Sequence, residues 1–209
     1  MTSEDLKRCN EICLSVPGYS GSAHYCFFQG LLADPALKSL LILGVYHGRD
    51  ICFLLDILKR HHPGRFFRIV GVDKFTDTPC ADWPADRRTL GWEKAGYGKP
   101  PSLESTLRNT SPLEDAARVE IHQMEDEDFL LGAEEGQFDV IYYDTSHDKK
   151  SLVRQLKQSR SRMHAGTVLC GDDFRDEGTW GVVSAVRESF NCYSVYYDYI
   201  WMSKAEYLK

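Results

Sequence analysis

The side chains best placed to do chemistry in this 209-residue chain are carboxylates that end apolar runs. Asp144 closes the run from Phe138, and Asp172-Asp173 closes the run Thr167-Val-Leu-Cys-Gly171. If the two runs are neighbouring parallel strands, they lie about 4.8 Å apart and end on one edge of a sheet. Carboxylates brought that close raise one another's pKa unless a cation neutralises them. Hard oxygen donors suit Mg²⁺ or Ca²⁺, with waters and substrate oxygens completing the shell. His147 follows Asp144 by three residues, in the turn before a helix that starts near Lys149. A neutral imidazole there is able to take a proton from a hydroxyl. The plainer alternatives are solvated strand ends, with Asp173 capping a turn and His147 capping the helix.

A second group surrounds the turn Gly44-Val45-Tyr46-His47-Gly48. Glycines let the backbone approach a ligand closely, and a helix N-terminus offers free N–H groups to an anion. Tight helix–sheet packing would ask for the same glycines. Asp73 ends the next apolar run, where an acid is able to accept hydrogen bonds from ribose hydroxyls, as in dinucleotide and adenosyl sites.

These positions need strands and helices in alternation, and the pattern supplies them. Strands are expected at Ser39–Gly44, Phe66–Asp73, Arg118–His122, Phe138–Asp144, Thr167–Gly171, Cys192–Tyr197 and Ile200–Ser203. Helices are expected at 4–16, Ser22–Leu32, Arg49–Arg60, Glu125–Leu131, Lys149–Met163 and Trp180–Phe190. A strand–helix–strand unit implies parallel pairing, so the fold class is α/β, a doubly wound, mostly parallel sheet of about seven strands. Ligands bind such sheets at the carboxyl ends of the strands. One domain is expected over 1–209, with a helical cap at 1–38 and an α/β core at 39–203. Residues 74–101, rich in Pro and Gly and carrying Trp83, Trp92 and Tyr97, read as a lid-like loop over the site.

The runs Leu41-Ile-Leu-Gly-Val-Tyr-His-Gly48, Asp73, Phe138-Asp-Val-Ile-Tyr-Tyr-Asp-Thr-Ser-His147 and Gly166-Thr-Val-Leu-Cys-Gly-Asp-Asp173 resemble the class I S-adenosylmethionine-dependent methyltransferases. The resemblance is closest to the small O-methyltransferases of the catechol, sugar and antibiotic type, and extends over about residues 39–203. It implies a Rossmann-like methyltransferase fold in which the turn residues Gly44, Val45, Tyr46 and Gly48 hold the methionine part of S-adenosylmethionine. It further implies that Asp73 holds the ribose and that the adenine lies near Met124. Asp144, Asp172 and Asp173 would bind Mg²⁺, and His147 would be the base for a small hydroxylated substrate. Two positions depart from the family pattern: Ile42 stands where it carries an acid, and Tyr46 where it carries a glycine. They keep open a non-catalytic relative that binds a ligand. A nicotinamide-dependent oxidoreductase also uses a glycine turn with a strand-end acid, although GxGxxG is missing here.

Composition narrows the partners. With 25 basic and 31 acidic side chains the formal charge is -6, against a nucleic-acid binder. No apolar run is long enough for a membrane helix, and the acidic N-terminus does not read as a signal peptide. Seven scattered cysteines without a CxxC pair read as free thiols of a reducing, cytoplasmic setting. The aromatic run Tyr193–Trp201 suits sheet packing or the surface of a homo-oligomer.

Overall fold

The computed structural model describes residues 1–76, 92–94, 98–132 and 137–209. Strand β1 (Ser39–Leu43) is buried at four of its five residues, as expected of a central strand covered on both faces. It pairs in parallel with β2 (Arg68–Asp73) on one side and with β4 (Phe138–Tyr143) on the other. Outside these lie β3 (Arg118–Gln123) next to β2 and β5 (Met163–Gly171) next to β4, both parallel. β7 (Ile200–Lys204) pairs antiparallel with β5, and β6 (Ser194–Tyr196) closes that edge, for the order β3-β2-β1-β4-β5-β7-β6. The order reverses between β1 and β4, so the crevice at the carboxyl end of β1 is the switch point where such sheets bind ligands.

Alternation along the central strands divides the interior into two layers. Leu40, Ile42 and Tyr142 face helices α1 (Ser3–Ser15), α2 (Ser22–Leu32) and α3 (Arg49–His61), packing on Tyr25, Phe28 and Phe53. Leu41, Leu43 and Ile141 face α5 (Asp126–Leu131), α6 (Lys149–Gln158) and α7 (Val182–Ser189), with Phe129, Leu152 and Val186. The N-terminal helices therefore share the core of the sheet. Charge also pins α1: Asp5, fully buried, takes His61 at 2.8 Å and Arg60 at 3.1 Å from α3.

The observed elements follow the expected alternation with three differences. A further helix, α4 (Leu103–Thr110), starts at Ser102, whose hydroxyl accepts the Ser105 N–H. α6 stops at Gln158, because the chain must already be extended at Met163 to pair with Phe138. β5 accordingly begins at Met163 and not at Thr167, with a register irregularity opposite Phe138 and Val140. Most of the expected lid-like loop, Trp83 and Tyr97 included, lies outside the described residues. No helix among the described residues is long and apolar enough to cross a membrane. Cys9, Cys13, Cys26, Cys52, Cys170 and Cys192 are free.

Candidate functional site

A cavity of about 870 Å³ opens at the carboxyl edge of the sheet and is lined by Gly44, Val45, Tyr46, Asp73, Asp144, His147, Asp172 and Asp173. Eight of the ten expected site residues thus share one space. Gly48 and Met124 do not line it. Gly48 (φ 85°) is the N-cap of α3, packed against Thr106, and Met124 is 37% exposed at the end of β3. Beyond β3 the lining residues are instead Glu125, Asp126 and Glu127.

The turn after β1 is built for close approach. Gly44 has φ 88°, and a Cβ there would lie 1.8 Å from the carbonyl oxygen of Asp144. Tyr46 holds φ 53°, a region non-glycine residues rarely occupy, and its ring packs against Trp92 at 5.5 Å and Tyr19 at 6.2 Å. Asp73 secures this turn: its Oδ2 accepts the N–H groups of Val45 (2.9 Å) and Tyr46 (2.8 Å), and its Oδ1 accepts that of Phe75 (2.7 Å). His47, within the turn, is buried against Ser105 Oγ and the Lys99 carbonyl and does not line the cavity.

The strand-end acids separate into two sets. Asp144, His147 and Asp173 each place a ligand-capable atom within 4.8 Å of the others. His147 Nε2 is 3.0 Å from Asp173 Oδ2 and 3.8 Å from Asp144 Oδ1. Its ring stacks on Trp180 at 4.6 Å, and the Arg175 guanidinium lies over the same indole at 4.0 Å. Asp172, expected to complete an aspartate triad, turns away and gives Oδ2 to His24 of α2 at 2.9 Å. Neighbouring residues leaving a strand diverge, and Asp173 takes φ 55° to reach His147. The histidine therefore stands in the cluster where the third carboxylate was expected.

The electrostatics match these partners. Burial, with the charges of Asp172 and Asp50, pushes Asp144 up to about 7 against the opposing pull of His147. Burial acts in the same direction on Asp173, but His147 and Arg175 hold it below its ordinary value. Burial would lower His24, yet the bond to Asp172 and the charges of Asp50, Asp172 and Asp144 raise it to about 9. The Gly21 N–H at 3.3 Å from Nδ1 opposes protonation only weakly, being a long contact, and the 2.9 Å ion pair outweighs it.

Sequence reasoning missed several lining residues. His24 meets Asp172 across 148 positions, a contact with no local signal. Asp126 is held by Thr145 and Gln155, and burial pushes it up to about 6; the acidic run directly after β3 was its one signal. Tyr199, from the aromatic run read as sheet packing, lines the cavity beside His24 at 5.3 Å.

Comparison with known proteins gives a consistent family. Residues 41–174, from β1 past the end of β5, match the family described as a methyltransferase domain. No match was found among curated protein sequences. Among solved structures, an O-methyltransferase from Bacillus cereus in complex with SAH is 15% identical, with TM-score 0.59 over 100% of this chain and 92% of that one. A calicheamicin methyltransferase is 12% identical, with TM-score 0.64 over 97% of this chain and 92% of its own. An SAH-bound methyltransferase from Podospora anserina is 12% identical, with TM-score 0.60 over 97% and 87%. At these identities the likeness is one of fold.

Proposed function

The chain belongs to the methyltransferase-domain family, and on that premise we propose that it transfers the methyl group of S-adenosylmethionine to a hydroxyl oxygen of a small molecule. The nicotinamide reading lapses with the family. One observation carries the choice of oxygen as acceptor: Asp144, His147 and Asp173 converge in the cavity that also holds the glycine turn and Asp73. The solved relatives described as O-methyltransferases, including one described as a TDP-rhamnose 3'-O-methyltransferase, support a sugar or natural-product hydroxyl as substrate.

The turn and the cavity suit the cofactor. Gly44 leaves room beside the Asp144 backbone, and Asp73 fixes Val45 and Tyr46 at the switch point. A carboxylate has about four lone-pair directions, and Asp73 spends three of them on backbone N–H groups, leaving one for a ribose hydroxyl.

The donor set also suits a divalent cation. Two carboxylates with open positions beside them match Mg²⁺, which keeps waters and substrate oxygens in its shell. Asp144 stands near 7 because burial and like charges oppose its ionisation, a cost that a cation would remove. Asp144 and Asp173 would hold the ion; it would supply a Lewis acid that lowers the pKa of the substrate hydroxyl. The residues of the chain do the rest. The turn aligns the methyl donor in line with the acceptor, and His147, its ring held by Trp180, takes the hydroxyl proton on Nε2. The decisive experiment is a screen of hydroxylated small molecules with a radiolabelled methyl donor, with and without Mg²⁺. Labelled methyl ethers formed only with the cation are expected; methylation confined to nitrogen or sulfur acceptors refutes the reading.

A further inference from the structure

The charge of the cavity narrows what it is able to admit. Ten of its lining residues are Asp or Glu, and four are Lys or Arg. Each of the four already faces a partner. Arg49 directs its guanidinium to the carbonyls of Val16 (2.8 Å), Ser20 (2.8 Å) and Cys13 (3.0 Å). Arg154 is paired with Glu127, Arg175 with Asp173 and Glu177, and Lys74 stands 3.8 Å from Glu125. A protonated His24 adds one positive charge, but Asp172 matches it at 2.9 Å. A divalent ion and the sulfonium of the cofactor would not cancel the remaining excess. Among the described residues, the lining therefore offers no uncommitted cation to a phosphate or carboxylate of a substrate. A cleft lined by one sign of charge concentrates ligands of the other.

One lining carboxylate is left over. Asp198 is exposed at the cavity and has no hydrogen bond or ion pair among the described residues. It stands in the turn between β6 and β7, where the Tyr199 N–H donates to the Tyr196 carbonyl at 3.2 Å. Both central residues are left-handed, Tyr197 at φ 54° and Asp198 at φ 69°, the signs of a type I′ hairpin turn. The turn is anchored beside the strand-end acids: the N–H of Phe174, directly after Asp173, donates to the Tyr199 carbonyl at 2.8 Å. The Tyr199 ring packs on His24 at 5.3 Å, and its hydroxyl also has no hydrogen bond among the described residues. A carboxylate and a phenol, both uncommitted, thus share one wall of the cavity on the side of Asp173. We propose that the acceptor is a hydroxylated amine, such as an amino sugar free of phosphate, whose ammonium Asp198 receives while Tyr199 bonds a hydroxyl. The proposal rests on the O-methyl-transfer reading above and adds the charge of the acceptor and the residue that selects it.

Methyl-ether formation from matched acceptors tests this. The panel holds amino sugars and amino alcohols, each with its N-acetyl derivative and the phosphate ester of its neutral counterpart. With S-adenosylmethionine and Mg²⁺, the wild type is expected to favour the free amine over the N-acetyl form about tenfold or more in kcat/KM, the worth of a charged hydrogen bond. The phosphate ester is expected to be the poorest of the three. Asparagine suits a left-handed turn position as well as aspartate does, so Asp198→Asn should keep the turn. That variant is expected to raise KM for the amine about tenfold, with kcat and the N-acetyl acceptor unchanged. Asp115→Asn removes a carboxylate paired with Lys59 outside the cavity lining and should leave the preference as it is, which controls for net charge. N-acetyl or phosphorylated acceptors used as well as the amines overturn the proposal and leave the O-methyl-transfer reading in place. So does a preference for amines that survives in Asp198→Asn. If no amine of the panel yields a methyl ether, the proposal falls; the wider reading falls with it only if the neutral alcohols of the screen above yield none either.

Discussion

Asp73 and Tyr46 are joined by a 2.8 Å hydrogen bond from the Tyr46 N–H to Asp73 Oδ2, and this bond explains how a tyrosine occupies φ 53° in the turn. The left-handed conformation costs a non-glycine residue about 1–3 kcal/mol, which persists only where the surroundings over-determine it. A carboxylate that also takes the Val45 N–H supplies that constraint.

Asp73→Ala should therefore act on stability as well as on ligand binding. Removing an ionised acceptor from three backbone donors should cost about 2–4 kcal/mol, read from chemical denaturation of the protein without ligand. Unchanged stability accompanied by weaker S-adenosylhomocysteine binding would confine Asp73 to the ligand.

Gly44→Ala should be among the most damaging single substitutions. A Cβ 1.8 Å from the Asp144 carbonyl oxygen, at a residue with φ 88°, forces β1 and β4 apart where they meet the cavity. Strain and overpacking together put the loss at about 3 kcal/mol or more. A melting temperature within a few degrees of wild type would contradict this close approach.

The strand ends that carry the site were legible because each β-strand is a short apolar run stopped by a glycine or an acid. Helix α4 was not, since Leu103–Thr110 has an apolar stripe too sparse to read and begins with Ser102 and Ser105, without the acid that usually marks a capping box. The early start of β5 was hidden by the half-buried His164 and the exposed Ala165-Gly166, which read as a turn although they are held in the strand by pairing at Met163. At the site, local spacing placed Asp144, His147 and Asp173 correctly on one edge. It gave no hint that Asp172 would leave them for His24, because that choice is made by the packing of α2 on the sheet, 148 positions away.

The His24–Asp172 pair predicts a pH dependence of stability. An imidazole raised from 6.5 to about 9 binds its proton more tightly in the folded state. Its contribution is complete below the unfolded value of about 6.5 and is lost as pH rises through 9. At about 1.36 kcal/mol for each pH unit the contribution is about 3 kcal/mol. Asp126 and Asp144, raised to about 6 and about 7, also lose stability on the way up, but their part is over near pH 7. The fall between pH 7 and 9 thus belongs to His24 and should flatten in His24→Gln, as measured by denaturation across that range.

The carboxylates predict which substitutions remove the cation. Asp144→Asn and Asp173→Asn should each abolish Mn²⁺ binding measured by calorimetry, and the same loss should follow in Mg²⁺-dependent activity. Asp172→Asn, whose carboxylate faces His24, should change Mn²⁺ affinity far less. Equal losses in all three variants would restore an aspartate triad as the ligand set.

His147 carries the last prediction, because its position allows two roles that a single nitrogen cannot fill together. Nε2 is 3.0 Å from Asp173 Oδ2 and within reach of Asp144, so the atom that would take the substrate proton is also the one able to bind a cation. The donor chemistry separates the two. Mg²⁺ is satisfied by the two carboxylates with waters and a substrate oxygen, and an imidazole is a poor partner for so hard an ion. A sugar or alcohol hydroxyl, in contrast, is a weak nucleophile until a base removes its proton. Stacking on Trp180 at 4.6 Å, an indole that also carries the Arg175 guanidinium, holds the ring toward the acids without consuming Nε2. The expected outcome for His147→Gln is a fall in kcat of ~10²–10⁴-fold, with Mn²⁺ and S-adenosylhomocysteine affinities within a few-fold of wild type. The ascending limb of the pH–rate profile should disappear in the same variant. A loss of Mn²⁺ affinity that parallels the loss of kcat would make His147 a ligand of the cation and leave the proton to another acceptor.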